Sequence, residues 1–126
     1  MANLSHKTHD VIIADLAAAG CQIGLLTQAP AGDGTGVVEP NVIYGYARQD
    51  ITLSATTREG TKSVVKNAAA LIFGPASTQA WPTVTHIGLF DADGDLRAYS
   101  PLGTPRTVPA GDAVSFGIEA IQFKFN

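Results

Sequence analysis

Apolar residues follow a helical spacing only near the start of the chain. The residues that make up this pattern are Val11, Ile12, Ile13, Leu16 and Ala19. Thr8 has the side chain of an N-cap, Asp10 falls in the first turn, and Gly20 stands where a helix commonly stops. The pattern predicts one short helix over residues 8–19.

Beyond residue 20 the apolar positions alternate as they do in β-strands. The predicted strands cover residues 21–26, 46–54, 69–73, 83–90, 96–100, 105–108 and 113–125. In the last strand Ile121, Phe123 and Phe125 alternate with Gln122 and Lys124, which predicts one face in water. Short strands with frequent turns and no later helix predict a mainly β fold. We expect an antiparallel β-sandwich or a jelly-roll-like barrel with one short N-terminal α-helix.

The stretch THIGLFDADGDL (residues 85–96) contains the strongest turn signal. Its strand places Val84, His86, Gly88 and Phe90 on one face and Thr83, Thr85, Ile87 and Leu89 on the other. An Asp-Gly pair between two apolar runs predicts a tight hairpin. Aspartates 91, 93 and 95 also resemble the start of a calcium loop, with adventitious calcium as the alternative. That loop needs glycine and glutamate where this chain has Leu96 and Leu102, so we expect a plain turn and no metal.

Residues 27–41, TQAPAGDGTGVVEPN, form a long segment rich in glycine and proline. Its GDGTG part resembles a phosphate loop, but VVEP follows it where a phosphate loop would open a helix. We therefore predict an exposed, flexible loop that reaches toward a partner, and an interface formed by this loop and one sheet edge. The predicted partner-binding residues are Asp33, Gly34, Thr35, Gly36, Val37 and Val38.

Composition argues for some classes of function and against others. A chain of 126 residues predicts one domain over residues 1–126, and a charged fraction of only 15% favours association with copies or partners. The net charge of −3 comes without any basic cluster, which argues against nucleic acid as a partner. Apolar stretches are too short for a membrane span, and no secretory signal is visible, so we expect assembly in the cytoplasm.

Few residues have the type and spacing that a metal-binding or catalytic site requires. His6 and His9 stand three apart, but no Cys or acidic partner completes a metal set, so a solvated helix start is expected. We expect His86 to be a partly buried, hydrogen-bonded histidine and Cys21 to be a small buried hydrophobe. We expect Trp81 to fill the core, with the stacking of a sugar on an exposed Trp81 as the alternative. These residues predict no catalytic group, no cofactor and no enzyme activity.

Four stretches together resemble a family of small tailed-bacteriophage virion structural proteins. They are DGTG (residues 33–36), GYARQDITL (45–53), AWPTVTHIGLFDA (80–92) and PLGTPRTVPAGDAVSFG (101–117). The likeness runs from about residue 25 to residue 117. It implies a non-enzymatic component of the virion, assembled in the host bacterial cytoplasm, and it supplies no catalytic residues.

Two virion roles follow as expectations from this resemblance. A capsid decoration or cement protein would bind the major capsid protein or other virion proteins as a homo-oligomer and stabilise the shell. The alternative is a tail-fibre or receptor-binding module that contacts host surface glycan. The compact domain, the neutral surface and the 27–41 loop favour decoration at this level.

Overall fold

The computed structural model of the chain describes residues 4–18 and 21–125. Its helix and strands, in chain order, are α1 (His6–Ala18), β1 (Gln22–Leu26), β2 (Gln49–Asp50), β3 (Thr57–Glu59), β4 (Lys62–Lys66), β5 (Leu71–Phe73), β6 (Trp81–Phe90), β7 (Leu96–Val108), β8 (Val114–Phe116) and β9 (Gln122–Phe125). A short 3-10 turn, Val42–Tyr44, precedes β2. The mainly β architecture with one helix among the described residues confirms the predicted fold class.

The strands form three antiparallel sheets. The largest has the order β2-β1-β6-β7, the second has the order β3-β4-β9, and β5 pairs with β8 alone. In the largest sheet β1 lies between β2 and β6, so its backbone is paired on both sides. Strands β7 and β9 each end a sheet, which leaves one edge of each without a strand partner in the described part of the chain.

The main core lies between the sheets. Its aliphatic part includes Ile23, Leu25, Ile87 and Leu89 from the centre of the largest sheet. Its aromatic part is joined by ring contacts: Tyr46 stacks on Phe73 and meets Trp81 edge to face, with centroids 6.4 and 5.6 Å apart. Trp81 is 4% exposed, which confirms its prediction as a core residue.

Helix α1 begins two residues before its predicted start. The Thr8 backbone N–H donates to the Ser5 hydroxyl at 3.3 Å, so Ser5, and not Thr8, caps the helix. His9 is fully buried on the helix face that it shares with Ile13 and Leu16, so the expectation of a solvated helix start is wrong for this residue. The spacing of these three residues by four and three places them on one face. The predicted helix end, at residues 19 and 20, lies outside the described residues.

Polar contacts hold α1 to the sheets. Nδ1 of His9 lies 2.7 Å from the Ser63 hydroxyl on β4, so the buried histidine has a polar partner. Arg58 of β3 donates to both carboxylate oxygens of Asp10 at 2.8 and 2.9 Å. Helix and second sheet are thereby joined at two neighbouring points. Within the described ranges, no helix has the length and apolar character that crossing a membrane requires.

Several predicted strand boundaries are wrong. The strand expected over residues 46–54 reduces to the two-residue β2, because the side chains before it pack into the site described below. The hairpin of β3 and β4 was not predicted, although Gly60, with a φ of 60°, supplies its turn. The runs 96–100 and 105–108 form one strand, β7. This strand tolerates its two prolines because it lies at a sheet edge.

The strand predicted over residues 113–125 is divided into β8 and β9 by a turn. Buried Asn67 stabilises this break, since its amide donates to the Gly117 carbonyl and its oxygen accepts from the Ile121 N–H, both at 2.8 Å. In β9 the side chains of Gln122 and Lys124 are exposed while Phe123 is buried. The prediction of one wet face is therefore confirmed for the second part of the segment.

The β6–β7 hairpin has a shifted register. Val84 belongs to the main core with Ile87 and Leu89, so its predicted place on the face of His86 and Phe90 is wrong. The pairing shifts between Val84 and His86, and such an irregularity inverts the alternation of side chains. From residue 87 onward β6 is buried on both faces.

Candidate functional site

The 27–41 loop folds back on itself instead of extending into solvent. The Thr27 N–H donates to the Val38 carbonyl at 2.9 Å, which brings the two ends of the loop together. Farther out, the Gln28 side chain donates to the Gly36 carbonyl at 2.9 Å, and the Ala31 N–H donates to the Thr35 carbonyl at 2.8 Å. The predicted reach away from the domain is therefore replaced by a hydrogen-bonded loop.

The tip of the loop is ordered by its own side chains. The Asp33 carboxylate accepts from the backbone N–H and the hydroxyl of Thr35, at 3.0 and 2.6 Å. These donors lower the pKa of Asp33. Gly34 and Gly36 have φ angles of 85° and 75°, which glycine adopts without strain. The GDGTG sequence is thus accounted for by local turn geometry.

The predicted partner-binding residues are consecutive and run from the tip of this loop to the end that pairs with Thr27. Exposed members of the set are Asp33, Thr35, Gly36 and Val38, whereas Gly34 and Val37 are half-buried. Their accessibility allows contact with a partner, and the contact itself stays a prediction.

Glu39 attaches the end of the loop to the largest sheet. Its carboxylate accepts two hydrogen bonds from Arg48, both at 2.9 Å, and one from the Tyr46 hydroxyl at 2.6 Å. The same hydroxyl accepts from the Leu25 N–H of β1 at 2.9 Å. Burial and the neighbouring carboxylate raise the pKa of Tyr46, so the phenol stays protonated and donates to Glu39. We refer to Glu39, Tyr46 and Arg48 as the Glu39 cluster.

The Glu39 cluster rests on a site formed by two glycines. Gly24 and Gly88 are direct cross-strand neighbours on β1 and β6. A Cβ on Gly24 would lie 2.6 Å from Glu39 Oε1 and 2.8 Å from the Phe90 ring. Both groups therefore fit here only because Gly24 has no side chain. The Arg48 guanidinium lies 3.6 Å from the centroid of the Phe90 ring, within cation–π range. The YARQ and IGLFD stretches of the resemblance meet at this place.

A groove of about 620 Å³ opens beside the loop tip. One wall is formed by Ala31, Gly32 and Gly34, and the long walls are formed by residues 96–103 of β7 and residues 120–125 around β9. Ile87 and Phe116 also line it. The groove therefore separates the terminal strands of the two larger sheets.

The charges beside the groove are already paired. Arg97 contacts Asp15 at 2.5 Å and Asp91 at 3.3 Å, and Lys124 contacts Glu59 at 3.0 Å. These partners raise the pKa of Arg97 and lower that of Glu59. The remaining lining is apolar, glycine or neutral polar, with Tyr99 43% exposed. This arrangement suits an uncharged, partly apolar group better than an anion, which would compete with the existing carboxylates.

The hairpin turn confirms the prediction made from the Asp-Gly pair. Gly94 has a positive φ of 85°, whereas Asp93 does not. A two-residue type I′ turn needs a positive φ at both of its central residues, so this hairpin fits a three-residue loop better. Oδ1 of Asp91 accepts from the N–H groups of Asp93 and Asp95, both at 3.0 Å, and Oδ2 accepts from Arg97. These donors lower the pKa of Asp91.

The three aspartates of the turn place carboxylate oxygens within 4.8 Å of one another. The Asp91 oxygens already accept hydrogen bonds from the protein, which is the role of a turn-forming aspartate. That this cluster works without metal stays a prediction.

Other single residues behave as expected from the sequence. Cys21 is buried, its thiol donates to the Leu16 carbonyl, and burial raises its pKa. His86 is half-buried, with Nδ1 2.8 Å from the Thr85 hydroxyl. Both predictions are confirmed.

Sequence reasoning missed one exposed apolar feature. Val42 and Ile43 project from the 3-10 turn and are 69% and 66% exposed. We call them the Val42–Ile43 knob. Asn41 and Gly45 on either side carried the signal, because an asparagine cap and a glycine stop mark a short helical turn.

The fold and the groove define a class: a β-sandwich protein whose distinctive features are a folded surface loop and a groove of mixed polar and apolar lining between two sheet edges. A family model described as podophage GP4 fiber I protein gp80 matches residues 10–124, and the chain belongs to this family. It is therefore a phage structural protein and a component of the virion. No curated protein matches the chain.

Proposed function

We propose that this chain is a non-enzymatic fibre protein of the podophage virion, which acts by packing against other virion proteins and against copies of itself. The observation that carries this proposal is the family match over residues 10–124. The surface supports it, because the groove combines apolar and neutral polar side chains with cations that are already paired, and protein interfaces use such mixed surfaces.

The family favours the fibre alternative over capsid decoration, which we preferred from the sequence. A fibre position would also bring the chain near the host surface. Trp81, the one tryptophan of the sequence, is buried and donates to the Tyr44 carbonyl at 2.8 Å, so it offers no stacking platform for a glycan. Among the described residues, Tyr99 in the groove is an exposed aromatic side chain that a glycan contact could use instead, and packing is the better supported role.

We propose that the predicted partner-binding residues take part in attachment to the particle. The loop that bears Asp33 and Thr35 forms one wall of the groove through its neighbours Gly32 and Gly34. Deleting residues 32–36 should weaken attachment of the protein to the particle. The fold should persist, because the Glu39 cluster and the Thr27–Val38 hydrogen bond lie outside the deleted residues.

Localisation in purified particles tests the proposal. A small epitope tag at the C-terminus, labelled with gold-conjugated antibody fragments and viewed by cryo-electron microscopy, should mark the fibres. Labelling spread over the capsid shell would instead support decoration and contradict the fibre assignment. A purified chain that hydrolyses host surface polysaccharide would contradict the non-enzymatic part.

A further inference from the structure

His9 is fully buried although it lies near the start of α1. Its Nδ1 lies 2.7 Å from the Ser63 hydroxyl, whereas its Nε2 is buried and has no hydrogen-bond partner among the described residues. A buried polar atom without a partner is uncommon in folded proteins and lowers their stability. One nitrogen of this imidazole is therefore satisfied and the other is not.

The Ser63 hydroxyl is shared between His9 and Arg58. Arg58 Nη1 donates to the Ser63 oxygen at 2.6 Å, and Arg58 Nη2 donates to the Asp10 carboxylate. A neutral imidazole fits this arrangement in either tautomer, because Nδ1 can accept from the hydroxyl or donate to its oxygen. A doubly protonated imidazole donates from both nitrogens, and Nε2 has no acceptor. The hydrogen bonds therefore suit the neutral form of His9.

The sheet beneath His9 presents a positive charge to it. Arg58 of β3 and Phe125 of β9 stand directly opposite Ser63, so their side chains share the face that Ser63 turns toward the helix. The other charged residues of the three strands alternate onto the opposite face; they are Glu59, Lys62, Lys66 and Lys124. A cation at His9 would therefore meet a guanidinium across the Ser63 hydroxyl.

The charged groups of α1 do not compensate for this guanidinium. The His6 ring has its centroid 5.8 Å from that of His9, and the Asp10 carboxylate is already bound by the arginine of β3. The pair of Asp15 with Arg97 lies six residues farther along the helix, a rise of roughly 9 Å. Protonation of His9 would therefore add a buried charge beside an ion pair that is already complete.

We propose that protonation of His9 in mild acid releases α1 from the second sheet. A buried cation that lacks an acceptor is costly, and moving the imidazole into water removes that cost. His9 shares its helix face with the buried side chains of Ile13 and Leu16. Release of α1 therefore exposes an apolar helix face together with the face of the second sheet that bears Ser63.

The response should fall in the pH range in which histidine titrates in water. A histidine in an unfolded chain has a pKa of roughly 6.5, so the released state binds a proton below that pH and the docked state does not. The docked state is therefore fully favoured above this value and loses stability as the pH falls below it. The equilibrium constant for release should rise about thirtyfold between pH 7.5 and pH 5.

Nuclear magnetic resonance of the full wild-type chain observes both parts of the proposal. The nitrogen-15 shifts of the imidazoles distinguish the neutral ring from the cation, and His9 should be neutral while α1 is docked. Hydrogen exchange, corrected for the intrinsic effect of pH, should show that amides of α1 lose protection between pH 7.5 and pH 5. Amides of β1, which is paired on both sides, should keep theirs.

Variants at the three histidines assign the acid response to one of them. His9→Asn keeps a polar atom near the position of Nδ1 and cannot take up a proton, and His9→Phe is a second variant that keeps a ring. The controls are His6→Asn, an exposed position on the same helix, and His86→Asn on β6. Urea denaturation at pH 7.5 and pH 5 measures each unfolding constant. The wild type and both controls should respond to acid about thirtyfold more than either His9 variant.

Two results would overturn the proposal. An imidazolium signal from His9 in a chain whose α1 amides stay protected would show that the buried position accepts the charge. An acid response of the His9 variants equal to that of the wild type would assign the effect to other groups. The first measurement uses the wild type alone, so it decides the matter even where neither His9 variant folds.

Discussion

The two faces of the largest sheet are buried in different ways. On the face toward the main core, Leu25 pairs with Ile87 and both pack among other apolar side chains. On the opposite face, Gly24 pairs with Gly88 and leaves room for a phenyl ring, a guanidinium and a carboxylate. One face depends on apolar area, and the other depends on the absence of side chains and on a hydrogen-bonded ion pair.

The face that carries Gly24 and Gly88 is specific in the side chains it accepts, whereas the face toward the main core is tolerant. Apolar cores accept many residues of the right volume. The Glu39 cluster accepts few changes, because each group has a partner at a fixed distance and Tyr46 joins the loop to the Leu25 backbone. We call the face of Leu25 and Ile87 the core face and the face of Gly24 and Gly88 the glycine face. Substitutions on the core face should lower the free energy of unfolding strongly at many positions, and substitutions on the glycine face should lower it less and only at particular positions.

The largest effect should come from the core face. Leu25→Ala removes a fully buried side chain and should lower the free energy of unfolding by about 2–5 kcal/mol, through lost burial and the cavity that remains. Urea denaturation followed by circular dichroism measures the change. Val11→Ala, at an exposed helix position, should have little effect, and equal losses in both variants would contradict the assignment of the core.

A glycine substitution tests the opposite face. Gly24→Ala forces a Cβ against Glu39, Phe90 and Tyr46, all within 2.9 Å, and should cost about 1–3 kcal/mol. The comparison variant is Gly103→Ala, where the added methyl meets nothing within 4 Å. The two variants should differ clearly in urea midpoint. Similar midpoints would show that the glycine face has room that the structure does not indicate.

The ion pair of the Glu39 cluster should contribute less than either change. Glu39→Gln keeps the shape and an acceptor for Tyr46 but removes the charge opposite Arg48, and should cost about 1–2 kcal/mol. Glu59→Gln breaks a more exposed pair with Lys124 and should have a smaller effect. Urea denaturation of both variants, at low and moderate salt, measures the difference. A larger loss in Glu59→Gln would contradict the ranking.

The sequence predicted the core face better than the glycine face for a physical reason. Alternating apolar residues are sufficient to place β1, β6 and the burial of Leu89. Nothing local indicates that Arg48 turns toward Phe90, because that contact joins residues 42 positions apart. The sequence therefore predicts Arg48 within a long strand, whereas the structure forms only the two-residue β2 directly after it.

The candidate site could be predicted in part. The glycines of residues 27–41 predict an exposed loop, and the positive φ angles of Gly34 and Gly36 are typical of such a loop. The groove could not be foreseen, since it depends on how β7 and β9 end their sheets, which is tertiary information. The Val42–Ile43 knob was missed because β-branched residues usually indicate strands or core, and only the flanking Asn41 and Gly45 suggest otherwise.

Acid should weaken the hairpin turn at residues 91–95, which joins β6 to β7. The pKa of Asp91 is lowered in the folded protein, so its contribution is complete above its unfolded pKa of roughly 4 and is lost as the pH falls through the folded value. Asp91→Asn should therefore be less stable than the wild type at pH 7. The difference should begin to shrink near pH 4 and should vanish once the pH lies below the lowered pKa of Asp91 in the folded protein. Urea midpoints across this range measure the effect. A constant difference down to low pH would contradict it.

The smallest expected effect concerns calcium at the same turn. If the Asp91 oxygens serve backbone N–H groups and Arg97, as the hydrogen bonds indicate, added calcium should leave the melting temperature unchanged. A true site would instead raise the free energy of unfolding by about 2.7 kcal/mol at a hundredfold excess over its dissociation constant. Asp93→Ala is the informative variant, because the Asp93 carboxylate belongs to the acidic group while its backbone N–H, which the substitution keeps, makes the turn. A calcium-dependent rise in the wild type that Asp93→Ala abolishes would make the turn a metal site, and the polar groups at this end of the hairpin would then serve binding as well as folding.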